Sequence, residues 1–190
     1  MARWEPNAQQ RLVLAALALF AEQGYDNTTV TQIANRAGLT KTTFFRHFPD
    51  KREVLFAGQE AHSRLLADGV AAAPVPATPL EAVAAALDAL TASFTAEQRD
   101  FGPRLLTVIA DNPELQERAT FKRAALAVAL TGALGKRGVP DLTASLAADL
   151  GTRAFGRAFD RWIEQSSQQT FTELARQELQ ALRTATMALG

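Results

Sequence analysis

The stretch TTVTQIANRAGLTKTTFFRHFPDKREVL, residues 28–55, holds two short helical patterns with a glycine between them. Thr29 and Gln32 have the spacing of a capping box, in which a hydroxyl and a side-chain carbonyl satisfy the orphan N–H groups of a helix start. The first helix runs about two turns to Ala37, where Gly38 can end it in the left-handed conformation. Thr40 opens a second helix that must stop near Pro49, because proline restricts its predecessor and donates no hydrogen bond. Leu39 before the cap and Phe44 inside the helix can form a hydrophobic staple that fixes the exit angle from the turn. Val30, Ile33, Ala34, Ala37, Leu39, Phe44 and Phe48 then make a small core. Left outside, near the start of the second helix, are Lys41, Thr42, Thr43, Arg46 and His47.

In a helix-turn-helix that end of the second helix enters the major groove, where Lys and Thr reach phosphates and base edges. Lys41 and Lys51 both lie just inside expected helix N-termini, where exposed positive charge costs about 0.3–1 kcal/mol. A phosphate beside each would turn that cost into an attraction. On these residues alone, a merely structural helical hairpin stays open as the competing reading.

The rest of the chain fits a helical protein. At 190 residues with 47% apolar content it can bury a full core, and Ala and Leu dominate over β-branched residues. The net charge is zero, but residues 1–52 hold seven Lys and Arg against four Asp and Glu, so a basic head sits on an acidic remainder. Capping pairs mark helix starts at Asn7…Gln10, Thr29…Gln32, Asp50…Glu53, Thr78…Glu81 and Thr170…Glu173, with Pro79 in the first-turn position. Leu80, Val83, Leu87, Leu90 and Phe94 step by three and four. Pro103, Pro113 and Pro140 suggest further helices over about 103–110, 113–135 and 141–165. APVPATP, residues 73–79, interrupts the helix expected to arrive from Asp50. The sum is an all-α fold of about nine helices.

Several function classes are disfavoured. The longest apolar run, Leu12 to Ala21, is too short to cross a bilayer core of about 30 Å, no secretory signal is evident, and cysteine is absent, so a cytoplasmic protein is expected. With two histidines and no HExxH, GxSxG or GxxxxGK[ST] pattern, neither a metal site, a cofactor nor catalysis is expected. A sequence-indifferent DNA-packaging protein is the other alternative.

Residues 28–55 closely resemble the DNA-binding segment of the tetracycline-repressor (TetR) family of bacterial transcriptional regulators. The resemblance is strong over residues 8–55, with Phe20, Gly24, Tyr25, Thr28, Thr29, Val30, Ile33, Ala34, Ala37, Gly38, Leu39, Thr43, Phe45, His47, Phe48, Lys51 and Leu55 in place. It implies a helix-turn-helix DNA-binding domain over 1–50 and a helical ligand-binding and dimerisation domain over 51–190. It further implies a homodimer on a near-palindromic operator in double-stranded DNA, released by a small-molecule effector. Carried over by position, Thr29 and Thr31 open the first motif helix at the backbone or groove, Lys41, Thr42 and Thr43 face bases and nearby phosphates, Phe45 and His47 lie by the flanking backbone, and Lys51 clamps a phosphate; Arg46, a further DNA-contact candidate, points partly toward solvent. The family often has Gly where Thr42 stands and Tyr where Phe45 stands; Phe45 lacks a hydroxyl, so its contact is apolar or it is core. Arg3 and Trp4 could form an arm ahead of the first helix, although a disordered tail is the plainer expectation.

In such a body, His62, Phe94, Phe101, Arg104, Phe121, Phe155, Arg157 and Phe159 are candidates for lining an effector cavity. Arg153, Arg157 and Arg161 fall on one helical face, with Asp149 and Glu164 placed to compensate them. The last two helices would pair and build the dimer, with Ala147, Leu150, Ala154, Ala158, Trp162, Phe171, Leu174 and Leu182 as candidate interface residues.

Overall fold

The computed structural model describes residues 8–164, 166 and 168–189, and every regular element among them is helical. The α-helices are α1 (Ala8–Gln23), α2 (Val30–Arg36), α3 (Lys41–His47), α4 (Gln59–Ala72), α5 (Pro79–Thr91), α6 (Ala96–Ala110), α7 (Pro113–Lys136), α8 (Asp141–Trp162) and α9 (Phe171–Met187). Asn7, Arg3 and Trp4 lie outside the described residues.

The capping chemistry forms where the spacing places it. Reciprocal boxes open α2 at Thr29 and Gln32, α5 at Thr78 and Glu81, and α9 at Thr170 and Glu173. Two starts differ from the sequence reading. Asp50 Oδ1 does accept from the N–H groups of Arg52 and Glu53, but the turn it opens is a short 3₁₀ helix, Arg52–Phe56. Gly58, at φ +86°, then breaks the chain before α4 begins. Helix α6 begins at Ala96 and carries Pro103 within it, because Thr95 and Gln98 form the cap that the proline seemed to supply.

Two compact units result: the chain to Ala57 with Arg104–Thr120, and Gly58–Pro103 with the chain from Phe121 onward. The head thus takes in the 3₁₀ helix, which packs on α1, and a stretch of α6 and α7. Arg52 pairs with Glu114 at 3.2 Å and Arg118 pairs with Glu53, tying the start of α7 to that 3₁₀ helix. The head core is Leu12, Leu17, Phe20, Ile33, Ala34, Phe44, Phe48, Val54 and Leu115.

The second unit packs α5 against α4, α8 and α9, and α8 against α9. The stripe of Ala144, Ala147, Ala148, Gly151, Ala154 and Ala158 on α8 is buried. Small residues allow close approach here: a Cβ on Gly151 would come within 2.6 Å of Val83 Cγ1. Arg137 donates to the carbonyls of Val70, Ala73 and Pro74, satisfying the end of α4.

Candidate nucleic-acid interface

Helix α3 is held by one face. Phe44 is fully buried and packs near Phe48, with ring centroids 5.5 Å apart, while Thr40 Oγ1 caps the helix by accepting from Thr43 N at 3.1 Å. Gly38 makes the preceding turn at φ +67°, and its N–H and that of Leu39 return to the carbonyls of Asn35 and Ala34. A Cβ there would meet Arg11 Nη2 at 2.7 Å. Arg11 donates to the Ala37 carbonyl, and Arg36 forms a two-pronged pair with Glu22, so α2 is tied to α1 from two sides.

With that face fixed, Lys41, Thr42, Phe45, Arg46 and His47 stand exposed, and Thr43 is half-buried with its hydroxyl 2.9 Å from that of Thr40. Phe45 is 48% exposed, so its ring lies outside the core; Lys41 Nζ sits 5.9 Å from its centroid. Thr31 is exposed on α2, whereas the Thr29 hydroxyl is engaged in its capping box. Lys51 is also engaged: its ammonium donates to the carbonyls of Tyr25 and Thr28 and lies over the Tyr25 ring. Burial raises the Tyr25 hydroxyl to about 12 and pushes the Lys51 ammonium below its ordinary value.

Among the candidate effector contacts, the structure gathers some and separates others. In the second unit His62 stacks on Phe94 at 5.2 Å, and Phe94 meets Phe155, Phe159, Trp162 and Phe171. Phe101 is half-buried and Phe121 exposed. Arg104 belongs to the other unit, where it lines a cleft of about 400 Å³ with Phe20, Tyr25 and Asp111. Arg157 and Arg161 both pair with the buried Glu178 of α9, at 2.5 and 2.8 Å, a partner one helix away that spacing along α8 could not reveal.

Burial holds the His62 imidazolium below the ordinary histidine value of 6.5. Between the folded pKa and 6.5 the unfolded chain binds a proton that the folded chain does not, so this contribution to stability is lost as pH falls below 6.5. Thermal melts across that range should show the midpoint dropping with pH, and His62→Phe should flatten the dependence. An unchanged slope in that variant would contradict the assignment.

Most of the candidate dimer residues face inward. Ala147, Ala154, Ala158, Trp162, Phe171 and Leu174 are buried within the chain itself, and Leu150 and Leu182 are half-buried. The outward apolar stripe on α8 is instead Leu142, 74% exposed, and Leu146, 56% exposed, continued by Leu150. Spacing by four was visible in the sequence, but the alanine stripe of the same helix competed with it.

A helix-turn-helix with one face locked and Lys41, Thr42, Arg46 and His47 exposed on the other has the geometry of a nucleic-acid-binding motif. Residues 12–57 match the family model described as "Bacterial regulatory proteins, tetR family". The amino-terminal quarter of the chain is thus similar to the DNA-binding segment of TetR-family regulators. It is 37% identical over 82 residues to the HTH-type transcriptional regulator TcmR of Streptomyces glaucescens, covering 43% of this chain and 36% of that protein. It is 32% identical over 121 residues to the HTH-type transcriptional regulator BetI of Rhizobium meliloti, covering 63% and 57%. The chain therefore matches less than two thirds of the length of these relatives. The transcriptional regulator FadR from Bacillus subtilis, solved in complex with stearoyl-CoA, shares the fold over 91% of this chain and 96% of its own at 19% identity, with a TM-score of 0.56. All three are transcriptional regulators. No helix among the described residues is long and apolar enough to cross a membrane.

Proposed function

We propose that this protein is a DNA-binding transcriptional repressor, a homodimer that seats two copies of α3 in successive major grooves of a near-palindromic operator. One observation carries the reading: Lys41, Thr42, Phe45, Arg46 and His47 share the free face of a helix whose other face is anchored by Phe44. Half-sites one helical turn apart, about 34 Å, would set the spacing of the two heads. The paired unit is completed by the leucine stripe of α8, which a second copy would cover.

Release comes from a small molecule entering the second unit beside the ring cluster of His62, Phe94, Phe155, Phe159, Trp162 and Phe171. Such rings suit a flat or apolar effector with one hydrogen-bonding group for the neutral imidazole. Its binding changes the separation of the two heads, and operator affinity falls.

Selection of bound fragments from random duplex DNA should recover a near-palindrome. On the selected duplex, Lys41→Ala should cost about 1–3 kcal/mol and relax the preference at one position per half-site. Thr42→Ala should shift preference at an adjacent position. Equal losses on every sequence would show that these residues do not read bases.

A further inference from the structure

We infer that Lys51 is a positioning residue of the DNA-binding head, holding the loop between α1 and α2 from within instead of gripping a phosphate. Its ammonium has three N–H donors. One goes to the Tyr25 carbonyl at 2.7 Å and one to the Thr28 carbonyl at 3.0 Å, and the nitrogen lies 3.9 Å from the centre of the Tyr25 ring. The side chain is half-buried and two of its three donors are engaged, so at most the third N–H is left for a phosphate.

The position of the carbonyls gives the contact its consequence. Thr28 directly precedes Thr29, the cap of α2, and the Thr28 hydroxyl donates to the Gly24 carbonyl at 2.8 Å. Lys51 therefore fixes where α2 begins. At the other end of α2, Arg11 donates to the carbonyl of Ala37, beside the Gly38 turn. Two cations thus hold the two ends of one short helix, and the turn hands that placement on to α3. Of the seven Lys and Arg in residues 1–52, Arg11, Arg36, Lys51 and Arg52 are committed inside the head, while Lys41 and Arg46 stand on the exposed face of α3.

The binding part of the test rests on the DNA-binding reading; the other part does not. In the free wild-type protein, amine acylation followed by mass spectrometry should modify Lys51 about tenfold more slowly than Lys41, since hydrogen bonds to the charged group must open first. Added operator should protect Lys41 and leave the Lys51 rate unchanged. A Lys51 that labels as fast as Lys41, or that only DNA protects, overturns the inference. In Lys51→Met, amide exchange over residues 28–30 should quicken in the absence of DNA. At temperatures where circular dichroism shows that variant folded, its affinity for all duplexes should fall about tenfold while the slope of log affinity against log salt stays that of the wild type. A slope shallower by about 0.9 per head would mean a lost phosphate contact and overturn the inference, as would unchanged affinity. If Lys51→Met does not fold, the labelling pattern of the wild type decides. If wild-type protein binds no duplex, the DNA-binding reading fails, and labelling and exchange still decide on the brace.

Discussion

Phe44→Ala is expected to unfold the amino-terminal unit near room temperature, or nearly so, while the second unit keeps its helices. Phe44 is the one fully buried side chain of α3, and it is among the largest fully buried side chains of the chain. Truncating a buried phenylalanine costs about 3–5 kcal/mol through lost burial and the cavity left behind. A domain typically holds about 5–15 kcal/mol in total, so the loss takes a large share. The effect on DNA binding should be greater still, because the anchor that aims Lys41, Thr42 and Arg46 is gone. Urea melts of Phe44→Ala and Phe44→Leu check this: the leucine variant should lose less than half as much and retain duplex binding. Wild-type stability in Phe44→Ala would mean that α3 is not held as described.

The second large effect is expected from Leu142→Asp combined with Leu146→Asp, which should convert a dimer into monomers without unfolding either unit. Both side chains are exposed in the single chain, so the substitutions remove no intrachain core. In a symmetric dimer each leucine counts twice, at about 1.5–3 kcal/mol for full burial, and a carboxylate in its place must also be desolvated. Linked heads gain about 10²–10⁴ in avidity over a single head, and operator affinity should drop by that range. Sedimentation velocity and anisotropy on the same samples report both changes. An unchanged sedimentation coefficient would place the dimer contact elsewhere.

What could be read from the sequence was the part fixed by neighbours in the chain. Thr29 and Gln32, Thr78 and Glu81, and Thr170 and Glu173 each close a cap over three residues, and the Gly38 turn and Phe44 anchor need little more. Errors arose where local signals competed. Pro103 suggests a helix start, yet Thr95 and Gln98 cap the helix earlier, and Asp50 caps a turn that Gly58 does not let continue. Contacts across long separations were not legible. Glu178 reaches Arg157 and Arg161 from another helix, and Lys51 reaches carbonyls in a loop before α2. Helix α8 misled for a physical reason: its small residues are the buried ones because they let neighbouring helices approach, while its leucines point out.

The most direct measurement is the affinity of the intact protein for a duplex selected from random sequence, against a scrambled duplex of the same composition, at several salt concentrations. If the free face of α3 reads bases in the major groove, the selected duplex should bind about 10³-fold tighter or more at physiological salt, and the Lys41→Ala variant should narrow that ratio. Equal affinity for the two duplexes, falling together as salt rises, would contradict the account.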